Sequence, residues 1–157
     1  MEEHKKWLLE AIRISEQGFK MGKGGPFGAI IVKNGQVVGR GWNQVTSTMD
    51  PTAHAEVVAI RDACGFLKNF QLDDCIVYTS CEPCPMCLGA IYWARPKAIY
   101  YANTRDNAAA IGFDDSFIYD EIPKAVEDRS IPTIHIPCEE AWEVFKEWQN
   151  KSDKISY

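Results

Sequence analysis

Apolar side chains at Trp7, Leu8, Ala11, Ile12, Ile14 and Phe19 fall mostly on one side of a 3.6-residue period, with charges between them, and predict a helix over residues 4–21. Two apolar runs, 29–33 and Gln36–Trp42, flank Asn34-Gly35, the dipeptide that suits both positive-φ positions of a type I′ turn, and predict a hairpin. The glycine-rich stretch 22–28 between them lacks the Gly-Lys-Ser/Thr ending of a phosphate loop, which argues for a connector. Asp50-Pro51 reads as a cap followed by a first-turn proline, with good helix formers over 53–63. A β-rich run at 75–79 precedes a helix over Pro85–Ala94, stopped because Pro96 disfavours helix at Arg95. Further on, 97–102 and 131–136 have strand character, 117–128 and Glu139–Asn150 have helical character, and the stretch between 102 and 117 reads as a loop. Strands alternate with helices after the opening hairpin, which predicts a mixed sheet with helices on both faces, an α/β/α layered domain.

Length and charge narrow the function. A chain of 157 residues is the size of one compact domain, expected here over 1–157. Its longest apolar runs fall far short of the roughly 20 residues a membrane span needs, and residues 1–16 lack the apolar core of a secretory signal, so a cytoplasmic setting is expected. Six cysteines in such a chain read as reduced thiols or metal ligands. The net charge of −5 argues against wholesale binding of nucleic acid phosphates and favours a small substrate.

The informative pair is His54-Ala55-Glu56 at the start of the second helix and Pro83-Cys84-Pro85-Met86-Cys87 at the start of the third. Zinc favours imidazole and thiolate in a tetrahedron and, when catalytic, keeps three protein ligands and one open place. His54, Cys84 and Cys87 supply three, and a helix N-terminus favours thiolate. Positions two apart do not share a helix face, so Glu56 is expected beside the metal as a proton carrier instead of as a ligand. Cys81 spaces regularly with Cys84 and Cys87, which leaves a closed Cys₃His structural site as an alternative. Otherwise Cys64, Cys75, Cys81 and Cys138 read as small buried hydrophobes, and His4 and His135 as structural residues. Trp142, Phe145 and Trp148, at helical spacing, read as packing residues.

His-x-Glu with Pro-Cys-x-x-Cys is the zinc nucleobase deaminase signature, and through it the chain resembles the cytidine deaminase-like superfamily. The segments 24–29, 50–56, 78–95 and 112–118 are similar to those of its bacterial guanine deaminase family. That resemblance implies a three-layer α/β/α sandwich with a five-stranded mixed sheet, and a homodimer whose subunits exchange a C-terminal segment of about 138–157. It implies one Zn²⁺ per subunit held by His54, Cys84 and Cys87, with water or hydroxide as fourth ligand. Glu56 would be the proton shuttle and Asp115 a second proton-moving group in contact with substrate. Phe27 would stack on a purine base, Asn43 would hydrogen-bond it, and Trp93 would line the pocket. Backbone N–H groups near Ala55 and Cys84 would orient the attacking oxygen, and Tyr157 would reach a partner subunit's site. The implied reaction is hydrolysis of guanine to xanthine and ammonia, in purine catabolism or salvage. A tRNA adenosine deaminase, or a deaminase of another aminated purine-like or triazine ring, is the alternative.

Overall fold

The computed structural model describes residues 1–157 and divides them into two compact units, Met1–Asp115 and Ser116–Tyr157. The first unit opens with helix α1 (Glu2–Lys20) and the hairpin β1 (Gly28–Lys33) and β2 (Gln36–Trp42). Asn34 and Gly35 take φ of 50° and 73°, as the type I′ turn requires. A short helix α2 (Val45–Thr48) follows, then α3 (Ala55–Leu67), β3 (Cys75–Cys81), α4 (Pro85–Ala94), β4 (Ala98–Asn103) and α5 (Arg105–Ala110). The sheet runs in the order β2-β1-β3-β4, antiparallel except for the parallel pair β3 and β4.

Alternation along the strands sorts the core into two faces. Ile30, Val32 and Tyr78 pack with Ile14, Trp7 and Leu8 of α1. Their neighbours Ala29, Ile31, Cys75 and Val77 pack on the opposite face with Ala55, Ala59 and Ala63 of α3 and Ile91 and Ala94 of α4. Helices therefore cover both faces of the sheet, as the pattern predicts. At the N-terminus of α1, His4 Nδ1 lies 2.8 Å from the Tyr78 hydroxyl and the imidazole stacks on Tyr100, a structural role as expected. On the opposite face α3 approaches β2 closely at two glycines. A Cβ at Gly41 would lie 2.2 Å from the Ala55 carbonyl oxygen, and one at Gly39 would lie 2.5 Å from that of Ala59.

Several expectations are corrected. The sheet has four strands, because residues 131–136 form no ladder. Asp50 does not cap a helix. Its carboxylate accepts from the Thr52 backbone N–H at 2.8 Å and hydroxyl at 2.7 Å, a local turn that delays α3 to Ala55. The expected loop after β4 contains α5, which Thr104 and Asn107 close with a reciprocal capping box.

In the second unit the expected helix over 117–128 is broken into α6 (Ser116–Glu121) and a 3₁₀ turn (Val126–Asp128). Pro123 supplies no N–H to continue it. Glu121 ties this region together: its carboxylate accepts from Lys124 Nζ at 2.5 Å, Ser130 Oγ at 2.6 Å and the Ser130 N–H at 2.7 Å. These partners hold Glu121 down to about 2. Helix α7 (Glu139–Asn150) leaves Trp142 and Phe145 61% and 68% exposed, so the expected packing stripe is not buried in this chain. Cys138 is exposed as well, against expectation, and all six cysteines are unpaired. No helix is long and apolar enough to cross a membrane.

Candidate active site

Two helix starts converge beside the sheet. His54 is the N-cap of α3 and Cys84 the N-cap of α4, both in extended backbone, and Cys87 lies one turn into α4. Pro85 at the first position of α4 fits because the N–H it lacks would have had no helical partner. His54 Nδ1 lies 3.6 Å from Cys84 Sγ and 3.5 Å from Cys87 Sγ. A tetrahedral zinc with bonds of about 2.3 Å to sulfur and about 2.0 Å to nitrogen separates those donors by about 3.5 Å. The three residues therefore fit the ion, with Nδ1 as the imidazole donor. Cys81 is outside this group, its thiol directed at the Thr104 carbonyl at 3.6 Å, so the closed Cys₃His arrangement is not formed.

Electrostatics agree with the donor set. The Cys87 thiol donates to Cys84 and, with His54 beside it, holds Cys84 down to about 4 despite burial. The Cys84 sulfur in turn raises His54, and Cys87 is pushed far up because its proton is shared with Cys84 and it is buried. Protons here occupy the positions a dication takes over.

Glu56, 6% exposed, stands next to the triangle without belonging to it. Cys87 Sγ donates to its Oε2 at 3.4 Å and the Thr79 hydroxyl to its Oε1 at 3.4 Å. Burial raises its pKa, and the Cys84 sulfur adds to this. A carboxylate shifted in this direction accepts a proton more readily than a solvated one. Thr79 was not singled out from sequence. Its signal was available: it shares the inward register of Cys75 and Val77, where a hydroxyl in an apolar row needs a partner.

Asn43, 6% exposed, uses Oδ1 to accept from the Gly25 N–H at 3.3 Å and the Val45 N–H at 3.1 Å. Its amide nitrogen is thereby oriented as the donor left for a ligand. Phe27 is joined to it by the bond from Asn43 N–H to the Phe27 carbonyl at 3.0 Å. Asp115 is half-buried, raised first by burial and then by the Cys84 sulfur. Ala55 is fully buried at the first position of α3. Trp93 is exposed on α4, and Tyr157 belongs to the second unit. His54, Glu56, Cys84 and Cys87 are thus brought together, with Asp115 near them and Phe27 beside Asn43.

An imidazole and two thiolates shaped for zinc, with a buried carboxylate held off the metal, define a zinc-type aminohydrolase. The chain belongs to the family of the cytidine and deoxycytidylate deaminase zinc-binding region, whose model matches residues 1–103. Among individual relatives it is similar to guanine deaminase of Bacillus subtilis (strain 168), 55% identical over 154 residues that cover 98% of this chain and 99% of that protein. The X-ray structure of guanine deaminase from Bacillus subtilis matches with a TM-score of 0.96 over 98% of each chain. More distant is the tRNA-specific adenosine deaminase of Aquifex aeolicus (strain VF5), 32% identical over 146 residues that cover 92% of this chain and 93% of that one.

Proposed function

We propose that this chain hydrolyses guanine to xanthine and ammonia, breaking the C2–N bond to the exocyclic amine and forming a C2–O bond from water. The observation that carries the reading is the zinc-shaped triangle of His54, Cys84 and Cys87 with Glu56 beside it and not in it. His54, Cys84 and Cys87 would hold one zinc per subunit, with water as its fourth ligand, and the ion would supply Lewis acidity of the kind that lowers a water pKa to about 7. Glu56 takes one proton of the attacking water and passes it to ring N3, then takes the proton of the new C2 hydroxyl and delivers it to the departing amine as the C2–N bond breaks. Thr79 holds Oε1 of Glu56, and Oε2, which faces Cys87 Sγ in the metal triangle, carries this traffic. Backbone N–H groups near Ala55 and Cys84 orient the attacking oxygen.

The Asn43 amide nitrogen donates to the purine carbonyl, Phe27 stacks on the ring, Trp93 lines the pocket and Asp115 contacts the substrate and helps move protons. Residues 1–157 act as one deaminase domain in a homodimer that exchanges segment 138–157, bringing Tyr157 to the partner's site. Supporting this are the exposed Trp142 and Phe145 of α7, an apolar face on the segment that is exchanged. A cytoplasmic role in purine breakdown or salvage is consistent with six unpaired thiols.

The test is ammonia release and the ultraviolet change from guanine to xanthine, with zinc-loaded protein and adenine, cytidine and a tRNA anticodon stem in parallel. Turnover of guanine alone supports the reading. Turnover of the anticodon stem alone moves the function to tRNA editing, and turnover of neither overturns both.

A further inference from the structure

Residues 104–115 form a bracket that ends on Asp115. Its first end is fixed by the Thr104–Asn107 capping box and by the Arg105 N–H, which donates to Glu82 Oε2 at 3.0 Å, two residues before the ligand Cys84. Its second end is a Schellman turn: Gly112 N–H donates to the Ala109 carbonyl and Phe113 N–H to that of Ala108, each at 3.0 Å. Gly112 makes the turn at φ 94°, a conformation that strains any residue with a Cβ. The chain leaving that turn reaches the Phe27 edge through the side chain of Phe113. Phe113 meets Phe27 edge-on, with ring centroids 4.9 Å apart and planes at 89°. Gly25 leaves room for both rings, since a Cβ there would lie 3.0 Å from Phe113 Cζ and 3.2 Å from Phe27 Cδ2. Phe113 is 47% exposed, so its contribution is local to this contact instead of to the apolar core.

We propose that Phe113 is a positioning residue for the reaction, clamping the Asp115 loop to the Phe27 edge so that the stacking ring and the carboxylate are held at one spacing. It acts through Phe27 and Asp115 and touches no reacting atom. The inference rests on the reading that Asp115 contacts the purine.

The test uses the zinc-loaded full chain and four variants, Phe113→Ala, Phe113→Tyr, Asp115→Asn and the double variant F113A/D115N, with guanine as substrate. An edge-on aromatic pair of this geometry is worth about threefold to tenfold. F113A is therefore expected to lower kcat/KM by about that factor, with zinc content and Tm unchanged. F113Y keeps the edge contact and restores the rate. In the D115N background F113A is expected to cost less than about twofold more, because the group it positions is already disabled. Wild-type kcat/KM in F113A while D115N is impaired overturns the clamp alone, as does full additivity of the two losses or failure of F113Y to rescue. Wild-type turnover in D115N overturns the substrate role of Asp115, and the clamp with it.

Discussion

Replacing Gly24 by alanine would test how the Asn43 amide, proposed to bind the purine, is held. A Cβ at residue 24 would lie 2.2 Å from Asn43 Oδ1, 2.6 Å from the Asn43 carbonyl oxygen and 2.9 Å from its carbonyl carbon. Non-bonded heavy atoms settle about 3.5 Å apart, so the side chain of Asn43 must retreat by about 1 Å or more. Its backbone has little freedom to follow, because its N–H is bonded to the Phe27 carbonyl at 3.0 Å. The amide therefore swings and releases the Gly25 and Val45 N–H groups that it now satisfies. At about 1 kcal/mol for each bond, about 2 kcal/mol of stability is lost, which lowers Tm by about 4–8 °C in a chain of this size. A displacement of about 1 Å at a substrate contact costs about 10²-fold in rate, and that is the expected fall in kcat/KM for guanine. Zinc content should be unchanged, since Gly24 touches none of the three ligands. The assay is the ultraviolet conversion of guanine, with zinc analysis and thermal unfolding on the same samples, and with Asn43→Ala and the double variant alongside. Because both single changes disable the same amide, the double variant should be no worse than Asn43→Ala. Wild-type kcat/KM in Gly24→Ala, or losses that multiply in the double variant, would refute the reasoning.

Other outcomes follow from the same geometry. Glu56→Gln should retain zinc, because Glu56 is not a ligand, and lose about 10²-fold or more in kcat; retained turnover would exclude it as the proton carrier. Chelation should abolish activity and lower Tm while leaving the far-ultraviolet dichroism of the sheet and helices, because the apolar clusters of the first unit are built without the metal; added zinc should restore turnover. Sedimentation analysis should find the proposed homodimer in the parent protein and a monomer in Phe145→Asp, placed on the exposed face of α7; a dimer in both would remove that face from the interface, and a monomer in both would remove the homodimer. Glu121 has a folded pKa of about 2, below its usual 4.5, so its contribution is present above about pH 4.5 and is lost as pH falls toward 2. Amide exchange at Ser130 should accelerate over that window, and in Glu121→Gln it should be fast throughout.

How far the sequence announces the structure depends on whether a local signal has a local cause. Asn34-Gly35 can place a turn because both residues tolerate the required φ on their own. Pro85 and Arg95-Pro96 bracket α4 for equally local reasons, and the helix runs Pro85–Ala94 as expected. The metal ligands were legible because zinc restricts both residue type and spacing. Helix α5 was hidden because Arg-Asp-Asn-Ala-Ala-Ala carries no apolar period, and its capping box uses Asn107 where Glu or Gln is the familiar partner. Residues 131–136 have the composition of a strand, yet a strand exists only by pairing, and composition does not name the partner. The tie from Thr79 to Glu56 joins residues 23 apart, a proximity that appears only once α3 is packed on the sheet face that Thr79 shares.

The glycines beneath α3 set how closely it approaches β2. At Gly39 and Gly41 the helix that carries Glu56 comes up to the strand with no strand side chain at either position, so no rotamer of those two residues can lift it. Ordinary drift in the aliphatic residues of the α1 side of the sheet, a methyl gained here and lost elsewhere, reshapes that part of the interior without touching these two contacts. That part of the interior is free to diverge over evolutionary time while the two contacts stay in register, and the cost of that freedom falls on two positions where glycine alone fits.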